Sequence, residues 1–151
     1  VLNVPNFKKT IAIIIAIENY KPRAENQISR VKYANNDALS FKKVLMESMQ
    51  VLEDDIVMYT DEIALKSDLE YGFSGLFHSL TEDDRLIFYF VGHGFHNGMA
   101  NFLSTYDMHL YNISAAAISL NKLLLEPLRK SKFKTDLILI NACCKNFLDA
   151  K

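Results

Sequence analysis

The chain has 151 residues, half of them hydrophobic and 23% charged, with three prolines and a formal net charge of −1. This composition predicts one ordered globular domain with enough residues for a real core, and excludes a disordered or low-complexity protein. The near-neutral charge argues against nucleic-acid and anionic-membrane surfaces, which need clustered excess Lys and Arg, and no apolar run reaches the ~20 residues of a membrane span.

In chain order, residues 10–17 are a near-continuous β-branched run without alternation, as in a strand buried on both faces of a parallel sheet. Residues 19–29 are polar, contain Pro22 and read as a loop. Val31, Ala34, Ala38, Phe41, Leu45 and Met49 recur at helical spacing and predict a helix over 31–49. A short strand is expected at 56–59. Ser67-Asp68-Leu69-Glu70 has a capping-box pattern, ahead of a helix burying Leu69, Phe73, Leu76, Phe77 and Leu80. Residues 86–91 predict a third buried strand, stopping at Gly92-His93-Gly94. Asn97-Gly98 is a tight-turn dipeptide, with a short extra strand over 101–105. Residues 115–129 read as a helix containing Pro127, and 136–140 as a fourth buried strand that stops at Cys143.

This alternation predicts an α/β fold with a mostly parallel central sheet and helices on both faces. Catalytic groups in such sheets lie beyond the carboxyl ends of the strands. His93 and Cys143 follow two strand ends, both expected to be central. The loop over 18–30 has no glycine, so dinucleotide- and phosphate-binding readings fall away and no cofactor is expected.

A thiol attacks a carbonyl as the thiolate, and a free cysteine with a pKa of ~8.5 is mostly protonated at neutral pH. A neighbouring imidazole can take that proton and return it to a leaving amine. Backbone N–H groups stabilise the resulting oxyanion by ~3–4 kcal/mol for one well-placed donor. Gly94 and Cys143 itself are the expected donors, with Gly92 serving tight geometry on the other side of His93. The cysteines, Cys143 and Cys144, are adjacent. Neighbours form only strained disulfides, so none is expected, and a reducing, cytoplasmic compartment follows. No small-residue cleavage pattern follows the first apolar stretch, so no signal peptide is read.

With these residues in place, the chain resembles the caspase-like cysteine peptidases (caspases, metacaspases and paracaspases) over about residues 11–150. Asn141-Ala142-Cys143 stands where Gln-Ala-Cys or Asp-Ser-Cys stands in those families, which marks Cys143 as the nucleophile. The 50-residue spacing from His93 is itself part of the caspase pattern. The Asn-Asp-Ala core of residues 31–38 resembles the metacaspase segment that opens the first helix, and residues 101–107 resemble the strand and Asp after the histidine loop. The resemblance implies a three-layer caspase-like sandwich and a large-subunit catalytic domain over residues 1–151. Its partners would be a protein or peptide substrate and a small-subunit chain from the same precursor.

Caspases hold an acidic substrate side chain with arginines, whereas metacaspases and paracaspases hold a basic one with carboxylates. Asp37 matches the first such carboxylate. Neutral Asn141 occupies the place of the second. Arg30 lines up, at a one-residue offset, with a caspase pocket arginine. Lys or Arg specificity anchored by Asp37 is the favoured expectation, with acidic specificity or a catalytically silent interaction module as alternatives. Lys151 also fits a processing site of such an enzyme, as it does an arbitrary boundary.

Other residues have plainer readings. Cys144 is expected to pack or to line the pocket wall. His78, His96 and His109 are expected to be incidental, and Asp107 a loop hydrogen-bonder. Zinc held by His93, His96 and the cysteines is disfavoured, because adjacent cysteines rarely both ligate one tetrahedral ion. No third carboxylate is evident beside His93, so a dyad is expected, with a backbone carbonyl orienting the imidazole.

Overall fold

Strand β1, Lys9–Ala16, lies between two parallel neighbours, β2 (Ile56–Thr60) and β3 (Asp84–His96). Its alternate side chains feed two cores, which is why the run lacks polar alternation. Ala12, Ile14 and Ala16 share one core with Ala34, Ala38 and Leu45 of helix α1 (Ala34–Glu47). Small residues on both sides let that helix lie close to the sheet. Ile13 and Ile15 join Leu86, Phe88 and Phe90 in the other core, covered by Leu69 and Phe73 of α2 (Lys66–Ser79). A computed structural model of the chain describes residues 7–25, 27–131 and 135–147, with only the backbone for Thr135, Cys143 and Cys144.

The handedness of the connections explains this layering. The chain steps from β1 to β2, then back across β1 to β3, so right-handed crossovers put α1 and α2 on opposite faces. The step from β3 to β6 (Thr135–Asn146) continues in the second direction, and its helical residue Leu124 joins the α2 core. The order of the parallel strands is therefore β2-β1-β3-β6. Beyond the end of β1, the short β4 (Asn101–Leu103) takes over the edge of β3 in antiparallel sense and carries β5 (Ile118–Ser119). The described residues thus form the expected α/β sandwich, with a mostly parallel sheet between helical layers. None of their helices is long and apolar enough to cross a membrane.

Several local expectations change. β3 and β6 do not stop at Gly92 and Cys143 but run on to His96 and Asn146, because β4 and β6 give the end of β3 a partner on each side. Gly92 does not need a left-handed backbone: Gly98, with φ 87°, is the glycine with positive φ. A Cβ at Gly92 would instead lie 2.9 Å from Phe90 Cζ. The capping box is not formed. Helix α2 starts at Lys66, so Ser67 lies inside it and its hydroxyl turns to Asp68.

The helix expected over 115–129 is broken into α3 (Ile113–Ala116), β5, one π-helical turn (Asn121–Leu125) and α4 (Glu126–Lys130). Ile118 is drawn into pairing with Leu103. Pro127 has no N–H to offer Leu123, and one residue earlier the Glu126 N–H donates to Asn121 five residues back. Lys151 lies outside the described residues.

Phe88 is fully buried on the central strand. Phe88→Ala should cost about 3–5 kcal/mol of stability through lost burial and a residual cavity, read as a lower denaturant midpoint in equilibrium unfolding.

Candidate active site

The strand order reverses direction at β1 and β3, and their carboxyl ends meet at His93. Such a switch point is where α/β sheets leave a crevice. β1 leaves the sheet through Ile17, whose N–H still donates to Val91 at 2.9 Å. Tyr20 follows, buried, with its ring centroid 5.5 Å from the His93 ring. Its Oη accepts the His93 N–H at 3.0 Å and bonds Ser104 Oγ at 2.8 Å. Burial pushes the Tyr20 phenol up to about 12, so it stays neutral. The Ser104 N–H in turn donates to the His93 carbonyl at 2.9 Å.

The His93 imidazole is half-buried, with Nε2 2.8 Å from the Ser29 carbonyl oxygen and 3.2 Å from Ser29 Oγ. A carbonyl only accepts, so Nε2 carries the proton and Nδ1 presents a lone pair. This is the orienting carbonyl expected in place of a third carboxylate. Burial holds the imidazole below its ordinary pKa of 6.5; the Ser29 bond opposes that shift and the Lys145 cation adds to it. His93 is therefore a neutral base near pH 7.

The loop that brings Ser29 to the ring is tied down at its far end. Buried Glu18 accepts from Arg30 through its carboxylate and from the Val31 N–H through its carbonyl, at 2.9 Å. The Asn35 N–H reaches the same carboxylate at 3.2 Å. Asp61, just after β2, accepts from the Glu18 and Asn19 N–H groups at 2.8 and 2.9 Å and from Asn35 Nδ2 at 2.9 Å. Sequence reasoning missed Tyr20, Glu18 and Asp61. Their one visible signal was their place just past strand ends.

The other expected residues fall into two groups. Parallel pairing sets Cys143 opposite His93 on β6, one strand spacing (~4.8 Å) away; the cysteine side chains lie outside the described residues. Gly94 is buried within the same ladder, opposite Cys144. His93 bonds Ser104 on one side and His96 accepts from Phe147 on the other. Backbone groups alternate in direction along a strand, so the Gly94 N–H is aimed at β6.

Asn141 and Asp37 both act on Tyr89, the first by a hydrogen bond and the second by its charge. Burial raises the Tyr89 phenol, Asp37 raises it further, and a hydrogen bond with Asn141 opposes them. Arg30 is exposed and held by Glu18. Asp107 bonds Arg23 through its backbone carbonyl at 2.7 Å, while its buried Oδ1 has no partner. His78 and His109 make local bonds to Ser74 and Tyr111.

Beside His93 opens a cleft of about 260 Å³, floored by Ile28, Phe95 and Leu110 and edged by Ser29 and Lys145. A three-layer α/β sandwich that sets a carbonyl-oriented histidine in register with a cysteine matches the caspase-like class of folds. Sequence comparison places the chain within that class: the caspase domain family of C14 peptidases matches residues 9–151, and the chain belongs to that family. The fold is also similar to the crystal structure of protein GSU0716 from Geobacter sulfurreducens, with a TM-score of 0.70 and 13% sequence identity. At that identity the likeness concerns the fold alone. It covers 89% of this chain and 50% of the other, so this chain spans half that protein's length. No curated protein matches the chain.

Glu18→Gln should release Arg30 and loosen the Ser29 carbonyl. Because that carbonyl favours the protonated ring, the His93 titration midpoint should fall further below 6.5. NMR titration of the His93 ring protons in the wild type and the variant checks both the starting point and the direction.

Proposed function

We propose that this chain is the large-subunit part of a cysteine endopeptidase that cleaves protein substrates after Lys or Arg. The observation that carries the proposal is the in-register placement of Cys143 beside His93, whose Nε2–H is committed to the Ser29 carbonyl. Nδ1 takes the Cys143 proton, and the thiolate attacks the substrate carbonyl carbon. The Gly94 and Cys143 N–H groups receive the oxyanion, which requires the β3–β6 ladder to open at both donors, since the register aims the Cys143 N–H at Gly92 of β3 and the Gly94 N–H at β6. Collapse expels the amine, which leaves with the proton from the imidazolium. The thioester is then hydrolysed by a water that His93 deprotonates. A reducing, cytoplasmic compartment keeps the thiol available.

Asp37 and Asn141, both at Tyr89, support a pocket for a basic side chain, in which Asp37 supplies the charge and Asn141 a neutral acceptor. The engagement of Arg30 with Glu18 weighs against the acidic alternative. A small-subunit strand fits the outer edge of β6, which among the described residues pairs only with β3. That strand carries Leu137, Leu139 and Ile140 at 41%, 36% and 39% exposure.

In the complete polypeptide, Cys143→Ala should abolish cleavage of Lys and Arg reporter peptides, and retained cleavage would overturn the assignment. Asp37→Ala should lower kcat/KM on basic reporters about 10-fold or more, chiefly through KM, as expected for losing a charge-assisted contact. An equal loss on acidic reporters would remove the pocket role.

A further inference from the structure

On β6, Asn141, Cys143 and Lys145 occupy alternate positions, with successive members about 6.6 Å apart along the strand. Ala142, between the first two, packs against the α2-side core. Asn141 reaches Tyr89, whose phenol also feels the charge of Asp37, whereas Lys145 lies on the far side of the His93–Cys143 pair and lines the cleft with His93 and Phe95. Opposite charges therefore lie to the two sides of the His93–Cys143 pair along β6.

Lys145 also has no ion-pair partner among the described residues, and the cleft lining contains no carboxylate. Its charge reaches His93 and disfavours the protonated ring. A cation so placed works against a histidine that must hold a proton, unless an anion neutralises it when substrate binds. The adjoining floor of Ile28, Phe95 and Leu110 is apolar, which suits the methylene stem of an acidic side chain.

We propose that Lys145 forms a subsite for an acidic side chain, Asp or Glu, on the leaving-group side of the cleaved bond. This rests on the endopeptidase reading, in which Asp37 and Asn141 hold the residue before that bond. The leaving amine then lies across His93, toward Lys145. The substrate class is narrowed from any Lys- or Arg-containing segment to one in which a basic residue is followed, within one or two positions, by an acidic one.

The test separates binding from catalysis. Cys143→Ala protein is titrated with peptides that share a basic residue and differ only in carrying Asp, Ala or Lys at the next two positions. Binding of the Asp peptide should be about fivefold tighter than that of the Lys peptide, the scale of a partly exposed ion pair. Lys145→Met in the same background should bring the ratio to about one, and Lys145→Glu should invert it. A ratio near one without the second substitution, one unmoved by either Lys145 change, or no measurable binding overturns the subsite. If wild-type protein cleaves none of the peptides while the charge preference persists in binding, the subsite stands and the peptidase reading fails.

Discussion

The parallel pairing of β3 with β6 is the constraint on which the site depends. His93 and Cys143 are brought together by the register of two long strands, with no help from loop closure. In a ladder with a two-residue period, a slip of one would set Ala142 or Cys144 beside His93 and carry Ala142 out of the core it helps to fill. Contacts along the whole strand resist that slip. Ile138 and Ala142 pack on the α2 side, Asn141 bonds Tyr89, and the Phe147 N–H reaches the His96 carbonyl at 3.0 Å. The Phe147 ring also packs at a tilt on Phe102 of β4, with centroids 5.2 Å apart, so the hairpin beyond His93 helps to fix the end of β6.

Within that frame the histidine is held from several directions. Tyr20 takes its N–H, Ser104 donates to its carbonyl, and Ser29 takes the proton on Nε2. These groups come from the segment after β1, the segment after β4 and the loop before α1. Buried polar groups are costly unless bonded, and around His93 these bonds meet most of that demand. Asp61 shows how tightly they are drawn. Burial alone would push its carboxyl up, yet the bonds from Asn19, Asn35 and Glu18 hold it below the usual carboxylate range. Its φ of 41° lies in the left-handed region, where Asp is better tolerated than most residues.

The sequence made the layers legible because burial on two faces leaves a strong mark. Residues 10–17 and 86–91 are too apolar to be anything but interior strands, and the α1 stripe lies on the expected face. The strand ends were not legible, since glycine is a poor guide to where a strand stops when partners exist on both sides. Gly92 looked like a terminator, but it makes room for Phe90 and Ser104. The helix over 115–129 failed for a related reason: pairing of Ile118 with Leu103 and the missing N–H of Pro127 outweigh local propensity. That His93 and Cys143 would lie side by side was legible through motif and spacing. The Glu18–Arg30 tether was not, because nothing local distinguishes a pocket arginine from one that closes an ion pair across a loop.

These facts bear together on how such a site would open. The Gly94 N–H points at β6, so on the proposed reading a substrate oxyanion competes with a ladder bond for that donor. β6 has no partner on its outer edge among the described residues, and its Leu137 and Leu139 are exposed. A strand joined at that edge would hold β6 from outside, letting the two rungs at Gly92 and Gly94 part while the rest of the register stays fixed. Without that support, losing those rungs would loosen the strand that carries Cys143. The geometry thus links two features usually considered separately, the supply of an oxyanion donor and the completion of the sheet, through the mechanics of a single edge strand.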